Sequence, residues 1–142
     1  IYDQGVADFC GTCTRCIDAC PTQAIVAPYQ VDGSRCISYL TIELKNEIPV
    51  AFKDQTKDWI FGCDICQQVC PFNREAPPTR EPAFAGMLDA AMTSAGEILG
   101  WSPEAYARKL SGSPMKRATL AMLKRNARIV VTNSSAARAP TG

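Results

Sequence analysis

The feature that most constrains this chain is the spacing of its eight cysteines, all of which lie between positions 10 and 70. The first four form the pattern Cys10-x2-Cys13-x2-Cys16-x3-Cys20 and are followed by Pro21. A tight loop with a cysteine at every third position can present three thiolates to one compact [4Fe–4S] cube, and the fourth cysteine then reaches a second cube. The pattern therefore predicts a protein that binds two such clusters.

A second quartet keeps the same ending but has a stretched beginning. Cys36 is separated by 26 residues from the run Cys63-x2-Cys66-x3-Cys70, which is again followed by a proline. Because the last cysteine of each run ligates the other cluster, the spacing predicts two crossed ligand sets. Cluster one takes Cys10, Cys13, Cys16 and Cys70, and cluster two takes Cys20, Cys36, Cys63 and Cys66.

Two other uses of eight cysteines stay open at this point. A four-cysteine zinc site would be built from two C-x2-C pairs without the interlocked third and fourth cysteines. A disulfide framework needs an oxidising compartment, and nothing near Ile1 resembles an export signal. Histidine is absent, which excludes mixed cysteine–histidine zinc sites, histidine-ligated haem and acid–base catalysis by histidine.

Prolines that follow the second quartet mark a predicted domain boundary near residue 80. Pro71, Pro77, Pro78 and Pro82 disfavour a regular helix and predict an extended connector. We expect residues 1–80 to form a two-cluster, bacterial-ferredoxin-like domain and residues 81–142 to form a helical, basic segment. The predicted fold class is α+β, with the ferredoxin-like domain followed by α-helices.

Local signals place several elements within this outline. Apolar periodicity and Ser-Pro starts predict three helices, over residues 84–99, 102–110 and 113–131. Gly100 is the expected end of the first helix. Residues 39–44 alternate well enough to predict a strand, although a helix stays open over so short a window.

Charge divides the chain at about residue 104. Residues 1–104 carry 7 Lys and Arg against 14 Asp and Glu, whereas residues 105–142 carry 8 Lys and Arg and no acid. Such a split favours contact between the basic segment and a polyanion or an acidic surface, with a solvated helix face as the alternative. The candidate phosphate contacts are Lys116, Arg117, Lys124, Arg125 and Arg128. There is no run of 18 apolar residues, so we expect no membrane-spanning helix.

Three blocks around the cysteines resemble the epoxyqueuosine reductases, which are cobalamin-dependent enzymes of tRNA queuosine biosynthesis. They are CGTCTRCIDACPTQAI, RCISYLTIEL and FGCDICQQVCPFN, at residues 10–25, 35–44 and 61–73. The block at residues 112–127, GSPMKRATLAMLKRNA, resembles the start of that family's HEAT-like helical region. The resemblance covers nearly the whole chain.

The resemblance implies an oxidoreductase that reduces epoxyqueuosine to queuosine and water at the tRNA wobble position. It also implies that two [4Fe–4S] clusters feed electrons to cobalamin, and that an external donor supplies those electrons. We expect a cytoplasmic monomer that acts on tRNA bearing epoxyqueuosine. Because the chain starts at Ile1 in what reads as mid-chain sequence, we expect the N-terminal cobalamin domain and its proton donor to be missing, and this fragment alone to be inactive.

No catalytic residue is therefore assigned in this chain. Its early aspartates are predicted to be turn, cap or surface residues; they are Asp3, Asp8, Asp18 and Asp32.

By position beside the cysteines, Ser38 and Asp64 are the candidate cobalamin contacts, with a helix or turn cap as the alternative role of Ser38. Lys45 is a further candidate for tRNA phosphate, or else a surface lysine.

Two other functions stay open. One is a stand-alone two-cluster ferredoxin that carries electrons, which would need neither the block at residues 35–44 nor the basic helical extension. The other is a reductive-dehalogenase-like enzyme with cobalamin and iron–sulfur clusters, which would share the cysteine quartets without requiring a basic tail.

Overall fold

The computed structural model of this chain describes residues 5, 9–82 and 93–136. Short helices and one small sheet make up its cysteine-bearing part. Helix α1 (Arg15–Ala19) precedes an antiparallel hairpin of strands β1 (Ile25–Ala27) and β2 (Gln30–Val31). Within the described residues the rest of the regular structure is helical, which agrees with an α+β class at this coarse level.

The hairpin leads directly to the segment that carries Cys36. Ile25 lies opposite Val31, and a 3₁₀ helix (Gly33–Arg35) follows the second strand. The Asp32 carboxylate caps this helix, because it accepts hydrogen bonds from the Ser34 N–H at 3.0 Å and the Ser34 hydroxyl at 2.6 Å. Asp32 is thus a cap residue, as predicted.

A π-helix (Tyr39–Glu43) occupies the segment that was predicted as a strand, so the strand prediction is wrong. The Leu44 N–H donates to the Tyr39 carbonyl at 2.9 Å, which is the i to i+5 bond of a π-helix. Leu40 and Ile48 are buried together with Ile129 from the far end of the chain. This packing decides the conformation, which six residues of sequence pattern could not.

The second cysteine run lies around further short helices. A turn of α-helix, α2 (Val50–Lys53), continues into a 3₁₀ helix (Asp54–Thr56), and α3 (Ile65–Gln68) and α4 (Pro71–Arg74) follow. The prolines of the connector were predicted to prevent a helix, but Pro71 starts α4 because proline is tolerated in the first helical turn. Residues 75–81 form no regular element and are exposed.

The described residues 93–136 form three more α-helices and a 3₁₀ helix. The starts of these helices agree partly with the capping signals. The helices are α5 (Ala95–Gly100), α6 (Pro103–Lys109), the 3₁₀ helix (Pro114–Arg117) and α7 (Leu120–Ala136). The prediction of a helix from Ser102-Pro103 is confirmed, and α5 ends at Gly100 as expected. Most of the helix predicted over residues 84–99 lies outside the described residues.

The single helix predicted over residues 113–131 is interrupted. Ala118 is extended, with φ −88° and ψ 129°, and it separates the 3₁₀ helix from α7. The Thr119 hydroxyl then accepts the Met122 N–H at 3.3 Å, which gives α7 its own N-cap. A second capping residue inside the apolar period therefore divides the predicted helix.

Helix α7 is shared by the two buried clusters of the described residues. Its Met122 and Leu123 pack with Trp101, and the partly buried Ile60 and Phe61 contact the same cluster. Its Ile129 belongs to the second cluster, with Leu40 and Ile48. The domain boundary near residue 80 stays a prediction, and the packing of α7 crosses it. Among the described residues no helix is both long and apolar enough to cross a membrane.

Candidate metal centre

All eight cysteines lie within the described residues, and none of them forms a disulfide. Cys10 and Cys13 are exposed, and the other six are partly buried. Helices α1 and α3, which follow the first cysteines of the two runs, pack against each other. The two cysteine runs therefore meet in space, as two interlocked ligand sets require.

Cys63 interacts electrostatically with the other three cysteines that the spacing assigned to cluster two. Burial raises the pKa of the Cys63 thiol, and the negative charges of Cys66, Cys36 and Cys20 raise it further. Such repulsion acts only between groups that lie close to one another. The thiols of Cys20, Cys36 and Cys66 thus lie near enough to Cys63 for their charges to act on it. That these four cysteines hold one [4Fe–4S] cluster stays a prediction from the spacing.

For cluster one the evidence comes from an aromatic pair. The rings of Phe9 and Phe72 meet edge to face, with centroids 6.1 Å apart and an angle of 67°. Phe9 precedes Cys10, and Phe72 follows Cys70 by two residues. This contact joins the residue before Cys10 to the residue two places after Cys70, while the crossed assignment of these two cysteines to one cluster stays a prediction.

A single metal ion would require its ligand atoms to lie closer together than the thiolates around a cubane do. Among the residues that the structure describes, no three His, Cys, Asp or Glu side chains form a group that could hold a metal ion. Zinc draws its thiolates to about 2.3 Å, whereas a cubane keeps its four thiolates further apart because four irons and four sulfides lie between them.

Cys20 lies among hydrogen-bond donors. The Ala24 N–H donates to the Cys20 sulfur at 3.3 Å, and the Thr22 hydroxyl lies 3.7 Å from the same atom. Burial alone would raise the pKa of Cys20, but the Thr22 hydroxyl and the backbone N–H groups of Ile25, Ala24 and Thr22 lower it. These donors stabilise negative charge on the sulfur, and sequence reasoning missed Thr22 although it follows Cys20-Pro21 directly.

Arg125 is a structural residue of this region. It is 6% exposed, and its guanidinium donates to the carbonyls of Leu40 at 2.8 Å and Leu44 at 2.7 Å, and also to that of Asn46. Its Nε donates to the Asn126 side-chain oxygen at 3.0 Å. The prediction that Arg125 contacts tRNA phosphate is therefore corrected, because its donors are occupied inside the protein.

Comparison with known proteins agrees with the geometry of the cysteines. Residues 9–73 match the family model described as a 4Fe-4S double cluster binding domain. The epoxyqueuosine reductase of Cellulophaga algicola is 53% identical over 125 residues, which cover 88% of this chain and 41% of the relative. That of Cyclobacterium marinum is 46% identical over 136 residues, covering 95% and 43%.

Solved structures give the same result. A selenomethionine-labelled epoxyqueuosine reductase superposes with a TM-score of 0.86 at 32% identity, covering 92% of this chain and 35% of its own. A second, crystallised with an epoxyqueuosine-modified tRNA-Tyr stem loop, gives 0.82 at 34% identity, covering 92% and 35%. Over most of its length the chain is thus similar to epoxyqueuosine reductases. It spans about two fifths of the length of the curated relatives it matches.

The two candidate cobalamin residues lie beside cysteines that were predicted to bind cluster two. Ser38 is partly buried at the start of the π-helix, and its hydroxyl makes no capping hydrogen bond there. Asp64 is exposed at the start of α3, where its carbonyl accepts the N–H groups of Gln67 and Gln68. A cleft of about 480 Å³ opens beside Cys20 and is lined by Ile17, Asp18, Cys20, Pro21, Gln23, Ile25, Val26 and Arg35.

The other acidic candidates keep ordinary roles. Asp18 is exposed and accepts a hydrogen bond from the Thr14 hydroxyl at 2.8 Å within the first turns of α1. Asp32 caps a 3₁₀ helix, as described above. Asp3 and Asp8 lie outside the described residues.

The remaining basic candidates differ in exposure. Lys45, Lys116 and Arg128 are exposed, and Lys124 is partly buried. Arg117 is exposed but is paired with the Glu43 carboxylate, which raises its pKa. The surface thus keeps several exposed cations, while the guanidinium of Arg117 already has a partner.

Thr22→Val should lower the reduction potential of the predicted cluster two. The hydroxyl stabilises negative charge on the Cys20 sulfur, and the reduced cluster is the more negative state. A net hydrogen bond is worth about 0.5–1.5 kcal/mol, so the decrease should be about 20–65 mV for a one-electron couple. A redox titration followed by EPR measures it, with Thr56→Val as control because the Thr56 hydroxyl bonds only the Lys53 carbonyl. An unchanged or higher potential would contradict this role.

Proposed function

We propose that this chain is the electron-relay portion of an oxidoreductase that reduces epoxyqueuosine to queuosine at the tRNA wobble position. Reducing the epoxide to the alkene and water consumes two electrons and two protons. A relay of one-electron centres must therefore transfer one electron twice in each turnover. The observation that supports the proposal most is the match of residues 9–73 to a 4Fe-4S double cluster binding domain, in a chain similar to epoxyqueuosine reductases.

The crossed ligand sets define the relay. Cys10, Cys13, Cys16 and Cys70 would hold cluster one, and Cys20, Cys36, Cys63 and Cys66 would hold cluster two. When bound, [4Fe–4S] clusters accept and pass on single electrons. The protein keeps the two sets close because each cysteine run contributes to both of them. It also tunes the charge on Cys20 through the donors around its sulfur.

Cobalamin is proposed as the acceptor beside cluster two. Ser38 and Asp64 would contact it, since both lie next to cluster-two cysteines and offer a hydroxyl and a carboxylate. Cobalamin carries polar amide groups around its ring, so these side chains fit it chemically. When bound, it supplies a strongly reducing cobalt centre. No proton donor is assigned among the described residues.

The basic surface is proposed to contact tRNA phosphates. Lys45, Lys116, Lys124 and Arg128 remain as candidates, with Arg117 tied to Glu43. Phosphate contacts position a nucleic acid without reading its sequence. We further propose that the helices of residues 93–136 begin a HEAT-like region, and that the protein works as a cytoplasmic monomer supplied by an external electron donor.

Reversing two of these charges should weaken tRNA binding. Lys116→Glu together with Arg128→Glu should lower the affinity and reduce the slope of log K against log salt by about one unit for each phosphate contact removed. Fluorescence anisotropy of a labelled anticodon stem loop at several salt concentrations measures both. Arg108→Glu is the matched control, because Arg108 is an exposed arginine outside the candidate set. Unchanged binding and slope in the double variant would reject the contact.

The whole protein that contains this chain provides the test of function. Purified without oxygen, it should hold about eight irons and eight sulfides per chain and give EPR signals of reduced clusters. With cobalamin and a reductant it should convert epoxyqueuosine in tRNA to queuosine, as mass spectrometry of the nucleosides would measure. A Cys63→Ala variant should still bind the tRNA but lose turnover. Bound zinc without iron would overturn the proposal, and so would full turnover by the Cys63→Ala variant.

A further inference from the structure

One buried hydroxyl joins the backbone beside two cluster-two cysteines. Thr41 is fully buried, and its hydroxyl donates to the Ile37 carbonyl at 2.7 Å. The same oxygen accepts the Gly62 N–H at 3.1 Å. Ile37 directly follows Cys36, and Gly62 directly precedes Cys63. A single side chain thus connects two segments that lie far apart in sequence.

Helix α7 closes this connection from the opposite side. Asn126 is 1% exposed, and its amide nitrogen donates to the Thr41 carbonyl and to the Ile60 carbonyl, both at 2.8 Å. Its side-chain oxygen accepts the Arg125 Nε–H. Every polar atom of the Asn126 side chain therefore takes part in holding the Thr41 segment against the Ile60 segment.

The two cysteine runs differ in how they bring their first members together. In the first run, the Cys13 N–H donates to the Cys10 carbonyl at 2.9 Å, so one backbone turn joins them. In the second run, 26 residues separate Cys36 from Cys63. Gly62 reaches its position with φ +76°, a left-handed conformation that glycine adopts readily. The contacts of Thr41 and Asn126 take the place of the missing short turn.

We infer that Thr41 and Asn126 are positioning residues that fix the separation of Cys36 and Cys63 and so hold cluster two in its site. The inference rests on the proposed function in one respect, namely that these cysteines bind a cluster. It also gives α7 a task in the iron–sulfur site, in addition to any contact with tRNA.

The test compares variants of the whole protein loaded with clusters under anaerobic conditions and then exposed to an iron chelator. Thr41→Val removes the hydroxyl at constant shape and leaves the Gly62 N–H without its acceptor. It should release about half of its iron about tenfold faster than the wild type, which corresponds to a loss of about 1.4 kcal/mol. The other half should leave at the wild-type rate. Thr41→Ser, which restores the hydroxyl, should stay within about twofold of the wild type.

Thr56→Val is the matched control, because Thr56 is equally buried and its hydroxyl donates to the Lys53 carbonyl at 2.7 Å. It should leave both halves of the iron at the wild-type rate. Asn126→Ala and its control Asn133→Ala repeat the comparison on α7, since Asn133 joins the carbonyls of Lys53 and Lys57. If Thr41→Val does not fold, the comparison of Asn126→Ala with Asn133→Ala tests the inference in its place.

Three results would overturn the inference. They are wild-type release by both Thr41→Val and Asn126→Ala, equal acceleration in the controls, and equal acceleration of both halves of the iron. Each of them leaves the proposed function intact, provided that the wild-type protein holds about eight irons. A wild-type protein without iron and sulfide would instead overturn the proposed function, and the inference with it.

Discussion

Replacing Cys16 and Cys20 together by alanine should remove both clusters, although the two cysteines belong to one motif and are four positions apart. In the crossed assignment Cys16 ligates cluster one and Cys20 ligates cluster two. The iron content should therefore fall from about eight per chain to near zero. By contrast, Cys16→Ala with Cys70→Ala removes two ligands of the same cluster, so about four irons should remain.

The four single variants complete this comparison. Cys16→Ala, Cys20→Ala, Cys63→Ala and Cys70→Ala should each keep about four irons, because each removes one ligand of one cluster. Iron and sulfide analysis after anaerobic purification measures the content, and EPR identifies the cluster that remains. If Cys16→Ala with Cys20→Ala kept about four irons while Cys16→Ala with Cys70→Ala lost all of them, each run would bind its own cluster and the crossed assignment would be wrong.

Arg125→Ala should lower the free energy of unfolding by about 3–5 kcal/mol, which is large for one substitution. The arginine is 6% exposed, and its guanidinium donates to three backbone carbonyls between Leu40 and Asn46. Truncation leaves those carbonyls buried without a charged donor and opens a space under α7. Urea unfolding of the whole protein, followed by circular dichroism, measures the change.

Two controls separate this structural role from the effect of charge. Arg125→Lys keeps the charge but lacks the planar fork that reaches several carbonyls, so it should recover less than half of the loss. Lys124→Ala removes a neighbouring, partly buried cation and should cost less than about 1 kcal/mol, as surface substitutions usually do. A small loss in Arg125→Ala, equal to that of Lys124→Ala, would contradict the role of Arg125 in holding the Leu40 segment.

The site could be predicted from sequence further than the fold could. Cysteine spacing alone grouped Cys63 with Cys66, Cys36 and Cys20; the charges of these thiols act on Cys63 in the structure, and their common cluster stays a prediction. Such a prediction works because ligand reach limits the possible spacings. Capping signals were equally local, which is why the start at Ser102 was predicted.

The failures share a different cause. The π-helix at Tyr39–Glu43 and the burial of Arg125 both depend on contacts between segments about 80 residues apart. By composition, Arg125 is one more cation in a basic segment. The residues next to it in the sequence do not indicate that its guanidinium contacts backbone carbonyls. Thr41 and Asn126 were missed for the same reason, because their partners Ile60 and Gly62 come from another part of the chain.

Helix α7 would have two roles under the proposals made above. Helix α7 has 17 residues, about 25 Å in length, with Arg128 exposed on its surface and Asn126 buried against the cysteine loops. An RNA bound at Arg128 would therefore lie at a fixed distance from the iron–sulfur site, because one helix carries both contacts. The position of the substrate and the position of the cluster would then both depend on helix α7. A displacement of this helix would disturb substrate binding and electron transfer together.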